Sequence, residues 1–288
     1  MATALITGGT SGIGAAFAQE LAARGTDLVL VARDAARLSA VASALHAAHG
    51  INVETIAADL AVREDVARVA ARIQDAGHPI NLLINNAGVP VRTRLTSPDI
   101  AVHEHAFDVM CRAVLVLGGA AGRSMSSRGG AIINVSSLQS MLTTGSYSAI
   151  KAWVTSYSQA LSVELRGTGV TVTALLPGWV ETEWHASEGG RRSSLPGWMW
   201  TTADETARAA LRDSARGRVI SIPTVRYRVL GWFARHLPRG VIRSISGSLS
   251  STRKDSTRND SPRNDSPRND VGSEQPIVKA DKRGDTHG

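Results

Sequence analysis

The sequence predicts a single α/β domain built on a doubly wound parallel sheet, with helices on both faces in a three-layer α/β/α arrangement. Short apolar runs alternate along the chain with segments of helical periodicity. The runs are almost wholly apolar, which is typical of parallel strands covered on both sides. A chain of 288 residues with 43% hydrophobic content is sufficient for one such domain with an appendage. Strands are predicted at 3–7, 28–32, 51–57, 80–85, 130–135 and 169–176, and helices at 12–24, 34–49, 63–76, 99–126, 147–166 and 204–213.

Composition excludes several classes of protein. Cys111 is the only cysteine, so an internal disulfide and a thiolate-rich metal site are both excluded. The eight histidines show no metal-ligand spacing, and we expect no metal. The first residues enter a strand and a glycine turn without a basic leader, and no apolar run approaches the roughly 20 residues that span a bilayer. These features predict a cytoplasmic protein.

The net charge of +7 is concentrated late in the chain, where residues 206–247 carry nine arginines against Asp213 alone. Because the excess belongs to one segment, we expect no nucleic-acid partner. Residues 225–249 contain two amphipathic pieces on either side of Pro238. They can pack on the domain or on a partner subunit, or they can rest on an anionic membrane surface at 226–249; we favour packing.

The last part of the chain is a low-complexity tail. Residues 251–270 repeat with a period of five and hold nothing apolar to bury, so we predict that 251–288 is disordered. The predicted organisation is a main domain at 1–225, basic amphipathic helices at 226–250 and the tail at 251–288.

A glycine-rich turn over 7–14 connects the first predicted strand to the first helix, as in a Rossmann fold. Glycines at this position let a pyrophosphate approach the N–H groups of a helix N-terminus. Arg33 ends the second strand, where an arginine suits the 2′-phosphate of NADP(H) and an acidic residue suits the free 2′-OH of NAD(H). Arg33 therefore favours NADP(H), although Asp34 follows it directly.

Lys151 is the only lysine before residue 254, and it lies four residues after Tyr147. On a helix the two side chains share one face. A nearby cation stabilises a phenolate, and a tyrosine whose pKa is lowered in this way can act as a general acid or base. The alternative is a surface lysine beside a surface tyrosine.

Further polar residues follow the carboxyl ends of predicted strands, where doubly wound folds bind their ligands. They are Asp59, the segment 85–88 (Asn-Asn-Ala-Gly) and the pair 136–137 (Ser-Ser). With TGxxxGxG, NAG, serine and YxxxK in this order, residues 2–225 resemble the classical short-chain dehydrogenase/reductase (SDR) family.

The resemblance implies a catalytic set and a cofactor site. Ser137 would bind the substrate carbonyl, Tyr147 would transfer the proton, and Lys151 would lower the tyrosine pKa and bind the nicotinamide ribose. Cofactor contacts would come from Gly8, Ser11, Gly12, Ile13, Gly14, Arg33, Asp59, Leu60, Asn86, Ala87, Gly88, Tyr147, Lys151, Pro177, Gly178, Val180 and Thr182.

The sequence departs from the family pattern at two points. Met110 replaces the usual asparagine, which puts the proton relay in doubt. The segment from Ser137 to Tyr147 is about three residues shorter than is common, yet a trimmed loop can still bring both side chains together.

The segment after the nicotinamide motif is expected to select the substrate. Trp184, Trp198, Met199 and Trp200 would wall an apolar pocket, although packing under a loop would explain them equally well. The resemblance favours an apolar 3-oxoacyl (ketoacyl) or other lipid-derived substrate, and family members are commonly homo-oligomers. Hydroxysteroid-type or broad-specificity carbonyl reduction is the enzymatic alternative. A non-catalytic NADP(H) sensor is the alternative from another class, and the intact Ser137–Tyr147–Lys151 set argues against it.

Overall fold

The computed structural model describes residues 2–91, 93–181 and 197–251, and it confirms the predicted doubly wound α/β fold. The strands are β1 (Thr3–Thr7), β2 (Asp27–Ala32), β3 (Val53–Ala57), β4 (Leu82–Asn85), β5 (Gly130–Val135), β6 (Val170–Leu175), β7 (Trp179–Glu181), β8 (Trp200–Thr202) and β9 (Ile220–Ser221). The helices are α1 (Gly12–Ala22), α2 (Ala35–His49), α3 (Arg63–Ile73), α4 (Ala101–Phe107), α5 (Ala113–Met125), α6 (Ser146–Glu164), α7 (Ala203–Ala215), α8 (Val225–His236) and α9 (Arg239–Ser251).

The main sheet is parallel throughout, with strand order β3-β2-β1-β4-β5-β6-β9. The winding direction reverses between β1 and β4, so the loops that follow these two strands diverge and leave a crevice at their carboxyl ends. Strands β7 and β8 form a separate two-stranded ribbon.

Alternate residues of each strand face opposite layers of the core. Leu5 packs with Val69 of α3 on one face, whereas Ile6 packs with Phe17 of α1 on the other. All four side chains are fully buried. This two-sided burial explains why the strands are continuous apolar runs in the sequence.

The helix between β4 and β5 is continuous from Ala101 to Met125 and contains a π-helical turn at Asp108–Arg112. By length and composition this helix could span a membrane, but most of its apolar stretch is buried inside the domain. It packs against α3, β4 and β5, so its apolar character is that of a core helix.

The two amphipathic segments predicted on either side of Pro238 are helices α8 and α9. Tyr227 of α8 is fully buried, and the buried Ser246 of α9 accepts a hydrogen bond from the backbone N–H of Thr143 at 3.0 Å. Both helices therefore pack on the domain. The predicted tail beyond residue 251 lies outside the described residues.

Candidate active site

A cavity of about 470 Å³ lies at the carboxyl edge of the sheet, and we call it the first cavity. Ser137, Tyr147 and Lys151 all border it, so the structure brings the predicted catalytic set to one place. The other predicted residues that border it are Gly8, Ser11, Gly12, Ile13, Asn86, Ala87, Gly88, Pro177, Gly178 and Val180.

A second cavity adjoins the first at the glycine turn, because Gly8, Ser11, Ala87 and Gly88 border both. Its far end is formed by Arg33, Asp34, Arg37, Asp59 and Leu60. The two cavities thus form one trough that is continuous at the glycine turn. The positive N-terminal end of α1 lies at the same place.

The glycine turn fits a dinucleotide. Gly8 has φ +66°, a left-handed conformation that favours glycine, and a methyl group on Gly14 would lie 2.1 Å from the carbonyl oxygen of Gly8. The Asn86 side-chain amide donates to the carbonyl oxygens of Thr7 and Gly8 at 3.0 and 3.1 Å. Close backbone packing of this kind lets a pyrophosphate approach the N–H groups that begin α1. Gly14 borders neither cavity described here. It packs instead against the turn itself, at Gly8.

Asp34 serves as the N-cap of α2. Its carboxylate accepts a hydrogen bond from the backbone N–H of Arg37 at 3.0 Å, and Arg37 donates from Nε to the carbonyl oxygen of Thr10. A capping carboxylate satisfies an otherwise unpaired helix donor. The acidic residue that complicated the cofactor prediction therefore has a structural role of its own.

Lys151 is buried beside the Tyr147 ring. Its Nζ donates to the carbonyl oxygen of Val135 at 2.8 Å and lies 5.6 Å from the centre of the Tyr147 ring. Burial lowers the pKa of Lys151 to about 8. Burial also raises the pKa of the neighbouring Cys111 thiol to about 12, so that thiol stays neutral near pH 7.

A Lys151→Met variant tests the cost of this burial. The folded chain binds the lysine proton more weakly than the unfolded chain, so the wild type gains stability as the pH rises from about 8 to 10.5. We expect the unfolding free energy of the wild type to improve relative to the variant by up to about 3 kcal/mol over that range. Urea denaturation of both proteins at pH 7 and pH 10 measures the difference. A difference that is independent of pH would contradict a depressed lysine pKa.

Buried polar side chains hold α6 against the sheet. The Ser136 hydroxyl donates to the carbonyl oxygen of Lys151 at 2.7 Å. Asn85 donates to Asn134, and Asn134 donates to Ser158 of α6 at 3.0 Å. These bonds fix the backbone of Lys151 relative to the ends of β4 and β5, since a buried polar group left without its partner is costly.

The short segment between Ser137 and Tyr147 is ordered by local bonds. Ser137 Oγ accepts from the Gln139 N–H at 3.1 Å and begins a 3₁₀ turn over Leu138–Met141. Ser148 Oγ accepts from the Thr144 N–H and donates to the carbonyl oxygen of Gly145. Although this segment is short, the side chains of Ser137 and Tyr147 both border the first cavity.

Met110 lies in the π-helical turn, fully buried. A methyl group on Gly88 would lie 3.4 Å from its sulfur, so Met110 packs directly beneath the loop that follows β4. π-Helical turns are frequent at functional sites. The turn is present here although the usual asparagine is not.

Much of the apolar wall of the first cavity comes from α8, which the sequence did not identify as part of the site. Leu230 and Phe233 of α8 and Leu237 directly after it border the cavity, together with Leu142 and Trp179. The apolar residues of α8 have the helical spacing that predicted an amphipathic helix. Only the fold shows that one face of this helix borders the cavity.

The predicted substrate residues are placed only in part. Met199 and Trp200 border neither cavity described above, and their carbonyl oxygens accept from Tyr227 and Arg226. Thr182, Trp184 and the side chain of Trp198 lie outside the described residues.

Comparison with known proteins identifies the family. The short chain dehydrogenase family model matches residues 2–192. With the doubly wound sheet and the Ser137, Tyr147 and Lys151 cavity, the chain belongs to the SDR family and is an NAD(P)-dependent oxidoreductase that acts on CH–OH or C=O groups.

Individual relatives extend the comparison. The chain is 36% identical over 194 residues to the very-long-chain 3-oxoacyl-CoA reductase of Bos taurus, over 62% of this chain and 60% of that protein, and so spans less than two thirds of that relative. It is 36% identical over 190 residues to the granaticin polyketide synthase putative ketoacyl reductase 1 of Streptomyces violaceoruber, over 62% and 68% respectively. Among solved structures, a short-chain dehydrogenase from Sphingobium yanoikuyae in complex with NADPH matches with a TM-score of 0.73 and 32% identity, covering 90% of this chain and 99% of that one.

Proposed function

We propose that this enzyme is an NADP(H)-dependent carbonyl reductase whose substrate is an apolar 3-oxoacyl (ketoacyl) or related lipid-derived compound. One observation carries the proposal. Ser137, Tyr147 and Lys151 border the same cavity as an apolar wall, and that cavity is continuous with the glycine turn. Relatives named as 3-oxoacyl-CoA and ketoacyl reductases support the substrate class.

The proposed chemistry divides between the cofactor and the chain. A bound nicotinamide supplies the hydride that reduces the carbonyl carbon. Tyr147 donates the proton to the carbonyl oxygen, and the Lys151 ammonium compensates the phenolate that remains. Ser137 Oγ already accepts from Gln139, so its own hydrogen is available to the substrate oxygen.

Lys151 also contributes to binding. An ammonium group has three N–H donors. One is directed to Val135, which leaves others for the nicotinamide ribose. In this proposal Lys151 both holds the cofactor and keeps positive charge beside Tyr147.

The preference for NADP(H) over NAD(H) rests on the second cavity. Arg33 and Arg37 border the end where the adenosine ribose would lie, and one oxygen of the Asp34 carboxylate caps α2. Two guanidinium groups at this position suit a 2′-phosphate. Asp59 and Leu60 border the same end, where they would contact the adenine. The structure of the Sphingobium yanoikuyae relative with NADPH is consistent with this preference.

A matched pair of leucine variants tests the apolar wall. Leu230 borders the first cavity and is 48% exposed, whereas Leu95 is 65% exposed in a loop and borders neither cavity described above. We expect the wild type to show a higher kcat/KM for NADPH-dependent reduction as the 3-oxoacyl thioester lengthens, because each buried methylene contributes about 0.8 kcal/mol. Leu230→Ala should flatten that trend, whereas Leu95→Ala should preserve it. The same flat profile in all three proteins would contradict an acyl-binding wall.

Helices α8 and α9 also present an apolar surface to solvent. Val225, Val229 and Trp232 are 69%, 49% and 56% exposed, and the exposed Arg228 and Arg243 lie on the same helices. With the net positive charge of residues 206–247, this surface suits an anionic bilayer. We therefore propose peripheral membrane contact by a cytoplasmic enzyme. Sedimentation with anionic vesicles but not with neutral ones would support it, and equal recovery with both would contradict it.

A second surface is suited to another copy of the chain. Phe107, Leu115, Val116 and Val163 lie on α4, α5 and α6, and each is exposed. Enzymes of this family are commonly oligomeric, and exposed apolar side chains on neighbouring helices suit a contact between subunits. We propose a homo-oligomer through this surface. A monomer by light scattering at micromolar concentration would contradict it.

A further inference from the structure

Tyr227 is packed directly against the backbone of the predicted nicotinamide loop. The residue lies in the first turn of α8 and is 1% exposed. A methyl group on Gly178 would lie 2.2 Å from two carbons of the Tyr227 ring, so only glycine allows the ring this close. The absence of a side chain at position 178 is therefore a packing requirement of Tyr227.

The hydroxyl of Tyr227 joins two further segments. It accepts a hydrogen bond from the backbone N–H of Trp179 at 3.2 Å and donates to the carbonyl oxygen of Met199. Gly178 lies in the loop after β6 and Trp179 begins β7, whereas Met199 immediately precedes β8. One buried side chain thus connects both arms of the ribbon formed by β7 and β8.

The neighbouring residue reinforces this connection. Arg226 Nη2 donates to the carbonyl oxygen of Trp200 at 2.8 Å and to Thr201 Oγ1 at 3.2 Å. The start of α8 is therefore bonded to the segment 199–201 at successive positions.

The rest of α8 forms the wall of the first cavity. Leu230, Gly231 and Phe233 border it, and a methyl group on Gly231 would lie 3.6 Å from the sulfur of Met141. The position of this wall relative to the predicted nicotinamide loop is set where α8 begins, at Tyr227.

We propose that Tyr227 is a positioning residue that couples the nicotinamide loop to the acyl-binding wall, so that cofactor affinity and chain-length selection both depend on its hydroxyl. The inference rests on the proposed function, because it assigns the two sides of the first cavity to cofactor and substrate. It adds a residue that neither the motif order nor the glycine turn indicated.

The three tyrosines of the chain provide the experiment. Tyr227→Phe keeps the buried ring and removes only the hydroxyl. Tyr157→Phe is the matched control, because Tyr157 is partly buried, its hydroxyl donates to the carbonyl oxygen of Leu115 at 3.3 Å, and it borders neither cavity described above. NADPH binding by nicotinamide fluorescence, thermal unfolding, and kcat and KM for short and long 3-oxoacyl thioesters are measured for each variant.

We expect Tyr227→Phe to raise the Kd for NADPH about tenfold, the equivalent of about 1.4 kcal/mol, because the Trp179 N–H and the Met199 carbonyl both lose a buried partner. The KM should rise more for the long thioester than for the short one. Tyr157→Phe should change neither the Kd for NADPH nor the KM for either thioester, even if its thermal midpoint falls as much as that of Tyr227→Phe.

Two results would overturn the proposal. One is an unchanged Kd for NADPH in Tyr227→Phe; the other is a change of the same size in Tyr157→Phe, which would mark a general loss of stability. The binding measurement does not depend on turnover. If the wild type reduces no thioester, the proposed function fails, while the Kd for NADPH still tests whether the Tyr227 hydroxyl positions the nicotinamide loop.

Discussion

Tyr147→Phe is expected to lower kcat for carbonyl reduction by a factor of about 10³ while leaving the Kd for NADPH within about twofold, because positioned proton transfer typically contributes 10²–10⁴ in rate. The phenyl ring retains its place beside Lys151, whose Nζ lies 5.6 Å from the ring centre. The substitution removes the hydroxyl that donates the proton. Steady-state rates at 340 nm and a fluorescence titration with NADPH measure the two quantities.

The tyrosine control separates chemistry from packing. Tyr157 stacks on Trp153 with ring centres 5.1 Å apart and borders neither cavity described above, so Tyr157→Phe should retain the wild-type rate. A Tyr147→Phe variant that keeps a tenth or more of the wild-type kcat would rule out Tyr147 as the proton donor. Strong NADPH binding with no turnover in the wild type would instead favour the sensor hypothesis.

The second large effect is expected at Arg33. Removing a charge-assisted contact to the 2′-phosphate should raise the Kd for NADPH by a factor of about 10 to 100 in Arg33→Ala, since hydrogen bonds to charged groups contribute about 1.5–3 kcal/mol. The Kd for NADH should stay close to the wild-type value because NADH has no phosphate at that position. Parallel titrations with the two cofactors measure the change in preference.

Arg24→Ala is the control for net charge. Arg24 pairs with Glu20 at 2.6 Å on the surface of α1 and borders neither cavity described here, so it should alter neither Kd. If Arg33→Ala weakens the binding of NADH and NADPH equally, Arg33 stabilises the second cavity and does not recognise the 2′-phosphate. The cofactor preference would then have to come from other residues.

Strands β1 to β6 and the helices were predictable because each has a local signal in the sequence, whereas the short strands β7, β8 and β9 were not predicted. Parallel strands buried on both faces are continuous apolar runs, and β1 and β5 begin and end where those runs do. The positions of the site motifs were predictable for the same reason, since Gly8 follows β1, Ser137 follows β5 and Tyr147 lies in the first turn of α6.

Other features depend on contacts between distant segments. Tyr227 meets Gly178 and Met199, which lie 49 and 28 residues earlier in the chain, and nothing in the periodicity of α8 marks that meeting. Asp34 is similar, because a carboxylate after a strand is compatible with a ribose contact or a helix cap, and only the folded structure shows the cap, through the bond from the Arg37 N–H.

Met110 shows a third kind of limit. The sequence indicated a departure from the family pattern, and it gave no means to predict that the helix would still contain a π-helical turn there. Met110 in this turn packs against Gly88 in the loop after β4, a contact that the sequence does not show.

The most direct test of the central claim follows the absorbance of NADPH at 340 nm in the wild-type enzyme with a long-chain 3-oxoacyl thioester, alongside identification of the product. We predict that NADPH is oxidised in equal amount to the 3-hydroxyacyl thioester formed, and that NADH at the same concentration reacts more slowly. NADPH that binds but is not consumed with this substrate, or with shorter thioesters, would contradict the assignment of this site as a ketoacyl-type reductase.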